Sequence, residues 1–162
     1  MKRTSLLLLS LFLASCNETS QQVFVDQGIP SEMIDVESQW TREDGCISGE
    51  SGYLVSQKLF NGKVFTLNAT LSLDSVGFTN ASLILFDNYL NFDAKVKDQP
   101  EPVIQLAGKM AHNRLVVASR KIEAGKPFAL QIEGQSDSVR FYVDGAHLFS
   151  CANDVDQYGR VG

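Results

Sequence analysis

An all-β fold, an antiparallel sandwich or barrel, is what this 162-residue chain predicts. Three observations carry the expectation. Apolar residues fall at 65, 67, 69, 71 and 73 with Thr, Asn and Ser between them, and a period of two sets one face of a strand in a core and the other in water. Short apolar runs recur between turn dipeptides such as Asn61-Gly62 and Asp144-Gly145, which tolerate the positive φ of tight hairpins. Beyond the first fifteen residues no stretch holds a 3.6-residue apolar period, the mark of an amphipathic helix.

Taken in order, residues 53–60 form the first apolar run, and Asn61-Gly62 predicts a hairpin turn into the alternating strand 64–73. Further strands are expected at 81–86, 89–96, 103–107, 114–122, 128–133 and 139–143. Lys126-Pro127 opens a hairpin whose two strands are joined by Gly134-Gln135-Ser136-Asp137, and Asp144-Gly145 then turns the chain into residues 146–151. Eight to ten short strands with regular turn signals are the pattern of sandwiches and barrels. Residues 16–37 are polar and aperiodic, with Gly28-Ile29-Pro30-Ser31 inside them and a short extended piece at Val23-Phe24-Val25. They read as a tether, which leaves residues 38–162 as one domain, large enough for a hydrophobic core of its own.

The first fifteen residues read as an export signal. Lys2 and Arg3 precede an apolar run from Ser5 to Leu13, far shorter than the roughly 20 residues that span a bilayer. A basic start, a brief apolar core and small residues at the exit are the physical features of a secretory leader. The exit, Leu13-Ala14-Ser15-Cys16, resembles the lipobox of bacterial lipoproteins. That resemblance implies a covalent lipid (diacylglycerol and an acyl chain such as palmitate) on Cys16, cleavage before it, and a chain anchored to the cell envelope. Several acyl chains anchor firmly, because each buried methylene contributes about 0.8 kcal/mol. Asn17 rather than Asp follows the cysteine, which by resemblance to the enteric sorting rule favours the outer over the inner membrane. An ordinary signal peptide ending in a chance cysteine, or a buried apolar helix, is the alternative.

Charge narrows the partners. With Lys2 and Arg3 gone, the 14 basic residues fall to 12 against 19 acidic ones, a formal charge of −7. An acidic surface repels phosphate backbones, so nucleic acid is not an expected partner. With Cys16 assigned to lipid, Cys46 and Cys151 remain, and two thiols in an oxidising compartment suggest a disulfide. Closing a loop of about 100 residues would be worth on the order of 4–5 kcal/mol. A pair of buried free thiols is the other reading.

Two stretches resemble the concanavalin A-like lectin/glucanase superfamily, which includes laminin G-like modules. The first is Trp40-Thr41-Arg42-Glu43-Asp44-Gly45-Cys46-Ile47-Ser48-Gly49 followed by residues 54–60, similar to the opening of 3-keto-disaccharide hydrolase-like domains. The second is Phe128-Ala129-Leu130-Gln131-Ile132-Glu133 through Arg140-Phe141-Tyr142-Val143-Asp144-Gly145, similar to a hairpin common across the superfamily. The likeness covers residues 40–162 and implies a curved two-sheet jelly roll. It also suits the Cys46–Cys151 pairing, since terminal strands of such folds lie near each other. Gly159-Arg160-Val161-Gly162 looks like the start of a closing strand that stops after four residues. The fold is therefore expected to lack that strand or to fill its place with another.

Catalytic signals are sparse. The paired carboxylates that retaining glycoside hydrolysis needs about 5–5.5 Å apart have no counterpart in a Glu-x-Asp-x-x-Glu strand here. Glu32 and Glu37, Glu43 with Asp44, and Asp154 with Asp156 fall in expected loops and read as solvated surface. His112 and His147 sit in no nucleophile–base motif and read as surface residues. No metal-ligand spacing occurs. The segment Phe86-Asp87-Asn88-Tyr89-Leu90-Asn91-Phe92-Asp93 stands apart, with two Asp, two Asn and three aromatics in eight residues. Ring faces beside amides and carboxylates suit sugar hydroxyls, so Asp87, Asn88, Tyr89, Asn91 and Asp93 are the candidate ligand residues. The competing reading is a hairpin turn at Asp87-Asn88 with Phe86, Leu90 and Phe92 in the core. Calcium on Asp87 and Asp93 lacks the six to eight oxygens such a site needs. The sequence thus points to an envelope lipoprotein whose sandwich binds a glycan or an envelope protein. A glycoside-acting enzyme or its remnant, and a purely structural lipoprotein, are the alternatives.

Overall fold

A computed structural model describes residues 33–36, 40–43, 46–49, 53–76, 81–98, 100–112 and 116–162, with backbone alone at 33–36, 41–43, 46, 116 and 117. The chain folds as two antiparallel sheets face to face. The first sheet has the order β13-β12-β11-β6, with β6 at Phe65–Leu71, β11 at Phe128–Gly134, β12 at Ser138–Val143 and β13 at Ala146–Ala152. The second is built on β10-β9-β8-β7, with β7 at Ser82–Leu85, β8 at Asn88–Ala94, β9 at Val103–Ala107 and β10 at Val116–Ala118.

Alternation decides what each strand gives the core. Along β11, Phe128, Leu130 and Ile132 are buried while Ala129 is exposed; along β12, Val139, Phe141 and Val143 are buried while Arg140 is exposed. Leu85, Leu90, Ile104 and Leu106 answer them from the second sheet, all fully buried. Two edge-to-face ring pairs bridge the layers, Phe92 with Phe128 at 5.4 Å and Phe65 with Phe86 at 4.8 Å between centroids, a geometry that adds about 0.5–1.5 kcal/mol per pair to simple burial.

The place of the closing strand is filled. Residues 158–162 lie between β7 and two short strands, β4 (Tyr53–Ser56) and β5 (Phe60–Asn61). On one side Ile84 N donates to Gly162 O at 2.6 Å and Phe86 N to Arg160 O at 2.8 Å. On the other, Ser56 N donates to Val161 O at 2.8 Å, Val161 N donates to Ser56 Oγ at 3.1 Å, and β14 (Tyr158–Gly159) pairs with β5. The expectation of a missing strand gives way to this arrangement. Val161 is the reason: it is 7% exposed and packs in the core opposite Leu85.

Three local expectations change. Asn61-Gly62 does not join a hairpin, because β6 pairs with β11 while β4 and β5 belong with the second sheet. Gly62 is buried there, its N–H on Gln157 O at 2.9 Å and a Cβ at its position 2.6 Å from Val155. The dipeptide carries the chain from one layer to the other. β1 (Met33–Val36) pairs with β4, within the stretch read as tether. A small hairpin of β2 (Thr41–Glu43) and β3 (Cys46–Ser48) follows, and the Trp40 ring lies so close over Gly49 that a Cβ would meet it at 2.7 Å. Residues 1–32, with Cys16 and the 23–25 piece, lie outside the described residues.

Cys151 is a free thiol, so the cross-link to Cys46 is not formed. Alternation on β13 turns Cys151 toward the core opposite Val139, whereas Cys46 lies in the separate β2–β3 hairpin and its side chain is outside the description. Burial, with the Asp154 carboxylate nearby, pushes the Cys151 thiol up to about 11.

Candidate functional site

The segment 86–93 forms a tight hairpin, but its turn sits one residue earlier than Asp87-Asn88. Phe86 and Asp87 take positive φ of 50° and 61°, the signature of a two-residue type I′ turn, and Leu85 pairs with Asn88 across it. Phe86, Leu90 and Phe92 are buried as the hairpin reading expects, and alternation puts Asn88 on the same inner face as Leu90.

Asn88 therefore points inward and is fully buried. Its Nδ2 donates to Leu85 O at 3.2 Å and Phe86 O at 2.8 Å, and its Oδ1 accepts Met110 N–H at 2.9 Å. With its amide held by backbone, Asn88 is a structural residue and not a ligand contact. Asp87 is exposed at the turn tip, and Asp93 is buried at the far end of β8, in a stretch where the register against β9 shifts. Six residue steps separate these carboxylates along the strand, about 20 Å at roughly 3.3 Å per residue, so they do not converge on a calcium ion. Among the described residues no group of three His, Cys, Asp or Glu is placed to hold a metal.

Tyr89 and Asn91 share the outer face of the second sheet. Tyr89 is 49% exposed, standing between Ile84 on β7 and Ala107 on β9. One position along, Ser82 Oγ donates to Asn91 Oδ1 and Asn91 Nδ2 donates to Gln105 Oε1 at 3.2 Å. A hydroxyl, an amide and a second amide thus run across three strands beside a half-open ring. Every group in the run is uncharged, and each is held by its neighbour in one orientation. Ser82 and Gln105 were not among the sequence candidates, because they join Asn91 only through strand register, which the sequence does not display.

The other titratable candidates are occupied elsewhere. His112 Nε2 meets Asp154 Oδ2 at 2.9 Å and Lys109 Nζ meets Asp156 Oδ2 at 3.2 Å, two surface pairs that tie a short 3-10 turn (Lys109–Ala111) to the loop before β14. His147 Nε2 shares a hydrogen bond with Ser150 Oγ at 2.8 Å. Ser150 sits on the open face of β13 rather than on the strained turn that presents a hydrolase nucleophile.

No protein-family model matches the chain, and no curated protein does. Among solved structures it is similar to the carbohydrate-binding module CBM66 from Bacillus subtilis, with a TM-score of 0.59 and 18% sequence identity, over 81% of this chain and 85% of that one. The likeness shows the fold: an antiparallel β-sandwich. At this level of identity it assigns no residue of the Tyr89–Asn91 face a role.

Proposed function

We propose that the mature chain is a glycan-binding sandwich, tethered to the cell envelope by lipid on Cys16, that acts by holding saccharide rather than by turning it over. The observation that carries the reading is the outer face of β7, β8 and β9. There the exposed Tyr89 ring offers an apolar platform for a sugar face, and the Ser82–Asn91–Gln105 run offers uncharged hydrogen-bonding groups to hydroxyls. The carbohydrate-binding name of the solved relative supports the ligand class. The leader and the Cys16 exit support the tether, and Asn17 supports the outer membrane.

Affinity electrophoresis of the chain from residue 16, carrying Cys16→Ser, in gels containing dextran, laminarin or glucomannan tests the binding. Retardation is expected in at least one gel, with Tyr89→Ala weakening it about tenfold, equivalent to ~1.4 kcal/mol. Unretarded migration in all of them overturns the reading. The tether is tested by mass spectrometry of the protein from its host: a mature start at Cys16 with fatty acids attached is expected, and an intact leader or an unmodified cysteine overturns it.

A further inference from the structure

We propose that the opposite face of the sandwich carries a second saccharide site, specific for one neutral sugar unit, so that the module grips two glycan segments at once. The inference rests on the glycan-binding reading and adds a site to it. A shallow cavity of about 260 Å³ opens on the outer face of the first sheet, lined by Asn68 and Thr70 of β6, Ala129 and Gln131 of β11, and Gly145 of the next turn. Ligand pockets for drug-sized molecules run about 300–1,000 Å³, so this one admits a single small polar unit.

Its construction follows from the sequence. Asn68, Gln131, Tyr142 and His147 stand in one register row across β6, β11, β12 and β13. The small Ala129 next to Gln131 leaves the space, and the Asp144-Gly145 turn walls it. That turn is pinned: Ala129 N donates to Asp144 Oδ1 at 2.9 Å, Asp144 N donates to Ala129 O at 2.8 Å, and Arg120 Nη2 donates to Asp144 Oδ2 at 2.7 Å. Farther along the row Tyr142 and His147 meet edge to face at 5.4 Å, giving an aromatic step beside the amides. Gln131 is itself held, its Nε2 donating to Glu133 Oε1 at 3.0 Å.

None of the lining side chains carries a charge. Arg120, beside the turn, is already paired with Asp144. A uronate or sulfate would lose hydration here with no cation among the lining side chains to replace it, whereas hydroxyls exchange water for amides and a threonine hydroxyl. The two faces lie on opposite sides of a sandwich whose sheets pack about 10 Å apart, so one straight glycan strand cannot serve both.

The same gels decide it, with alginate added as an anionic arm. Gln131→Ala and Ala129→Phe, both on the solvent face, are expected to weaken retardation by neutral polysaccharide threefold to tenfold without altering the circular dichroism spectrum. Tyr89→Ala with Gln131→Ala in one chain should abolish retardation. Wild type, but neither single-face variant, should raise the light scattering of dilute polysaccharide by cross-linking it. If Gln131→Ala and Ala129→Phe migrate as wild type while Tyr89→Ala alone abolishes retardation, the second site is wrong and the first stands. If the reverse holds, the two-site claim fails and the Tyr89 face is not the site. Stronger retardation by alginate than by the neutral polymers overturns the neutral-sugar assignment, and no retardation of wild type in any gel overturns both proposals.

Discussion

The side-chain oxygen of Asn88 accepts the backbone N–H of Met110 at 2.9 Å, and a Cβ added to Gly108 would meet that same oxygen at 2.5 Å. The buried amide thus stitches the β7–β8 turn to the short helix after β9, and Gly108, at φ 116°, leaves the room it needs. Asn88→Ala strands the Met110 N–H and removes the donor to two carbonyls. Leaving buried polar groups unmade costs about 1–3 kcal/mol each, so a loss of about 2–4 kcal/mol is expected in urea unfolding. A change below 1 kcal/mol would show that the bonds contribute little.

Gly134 presents a different constraint, one of space. A Cβ there would clash with the edge of the Phe65 ring, its cross-strand partner on β6. Gly134→Ala should destabilise by about 1–3 kcal/mol, the usual range for overpacking. Because the clash is with one ring, combining it with Phe65→Ala should cost less than the two single losses added together, read from a double-mutant cycle.

The Asp144 carboxyl is held below its ordinary value of 3.8, chiefly by the Ala129 N–H; desolvation opposes this, and Arg120 and then Lys126 add to the lowering. A depressed folded pKa means the ionised form favours the folded state. Its contribution is therefore complete above pH about 4 and is lost as pH falls through the folded value. Asp144→Asn keeps a residue that tolerates the turn's positive φ of 49° and removes the charge. The variant should melt lower than wild type at pH 7, and the two melting temperatures should converge as pH falls below about 4. Parallel curves would refute the linkage.

Cys151 titrates in the opposite sense. With its thiol raised from 9.0 to about 11, the neutral form favours the folded state, so its contribution is complete below pH 9 and is lost as pH rises toward 11. The thiolate is the reactive species. At pH 8 the native thiol should react with iodoacetamide about a hundredfold more slowly than the same thiol in urea. Equal rates would place Cys151 in water, and a missing thiol in denaturant would reveal a disulfide.

Much of the fold was legible because alternation is a local signal. The strand at 103–107, the hairpin strands flanking Gly134-Gln135-Ser136-Asp137 and the Asp144-Gly145 turn all stand where the residues put them. What failed was non-local. Asn61-Gly62 has hairpin chemistry, yet nothing near it says that Gly62 must fit beneath Val155 and hand the chain to the other sheet. The terminal strand is four recognisable residues, and only the core position of Val161 opposite Leu85 shows that these suffice. At the candidate site a core position for Leu90 and Phe92 already sets Asn88 inward and Tyr89 outward, but the turn forms one residue earlier than the composition suggests. The sequence leaves that offset open, because Phe86 is a bulky residue in a left-handed conformation that such residues seldom adopt.

Residues 158–162 occupy an interior position in their sheet, between β7 and the short strands β4 and β5. Until they dock, β7 and β4 have no shared neighbour, and each presents an unsatisfied backbone edge. Such an edge is a template for pairing with another chain, so the species with this seam open is the one most exposed to aggregation.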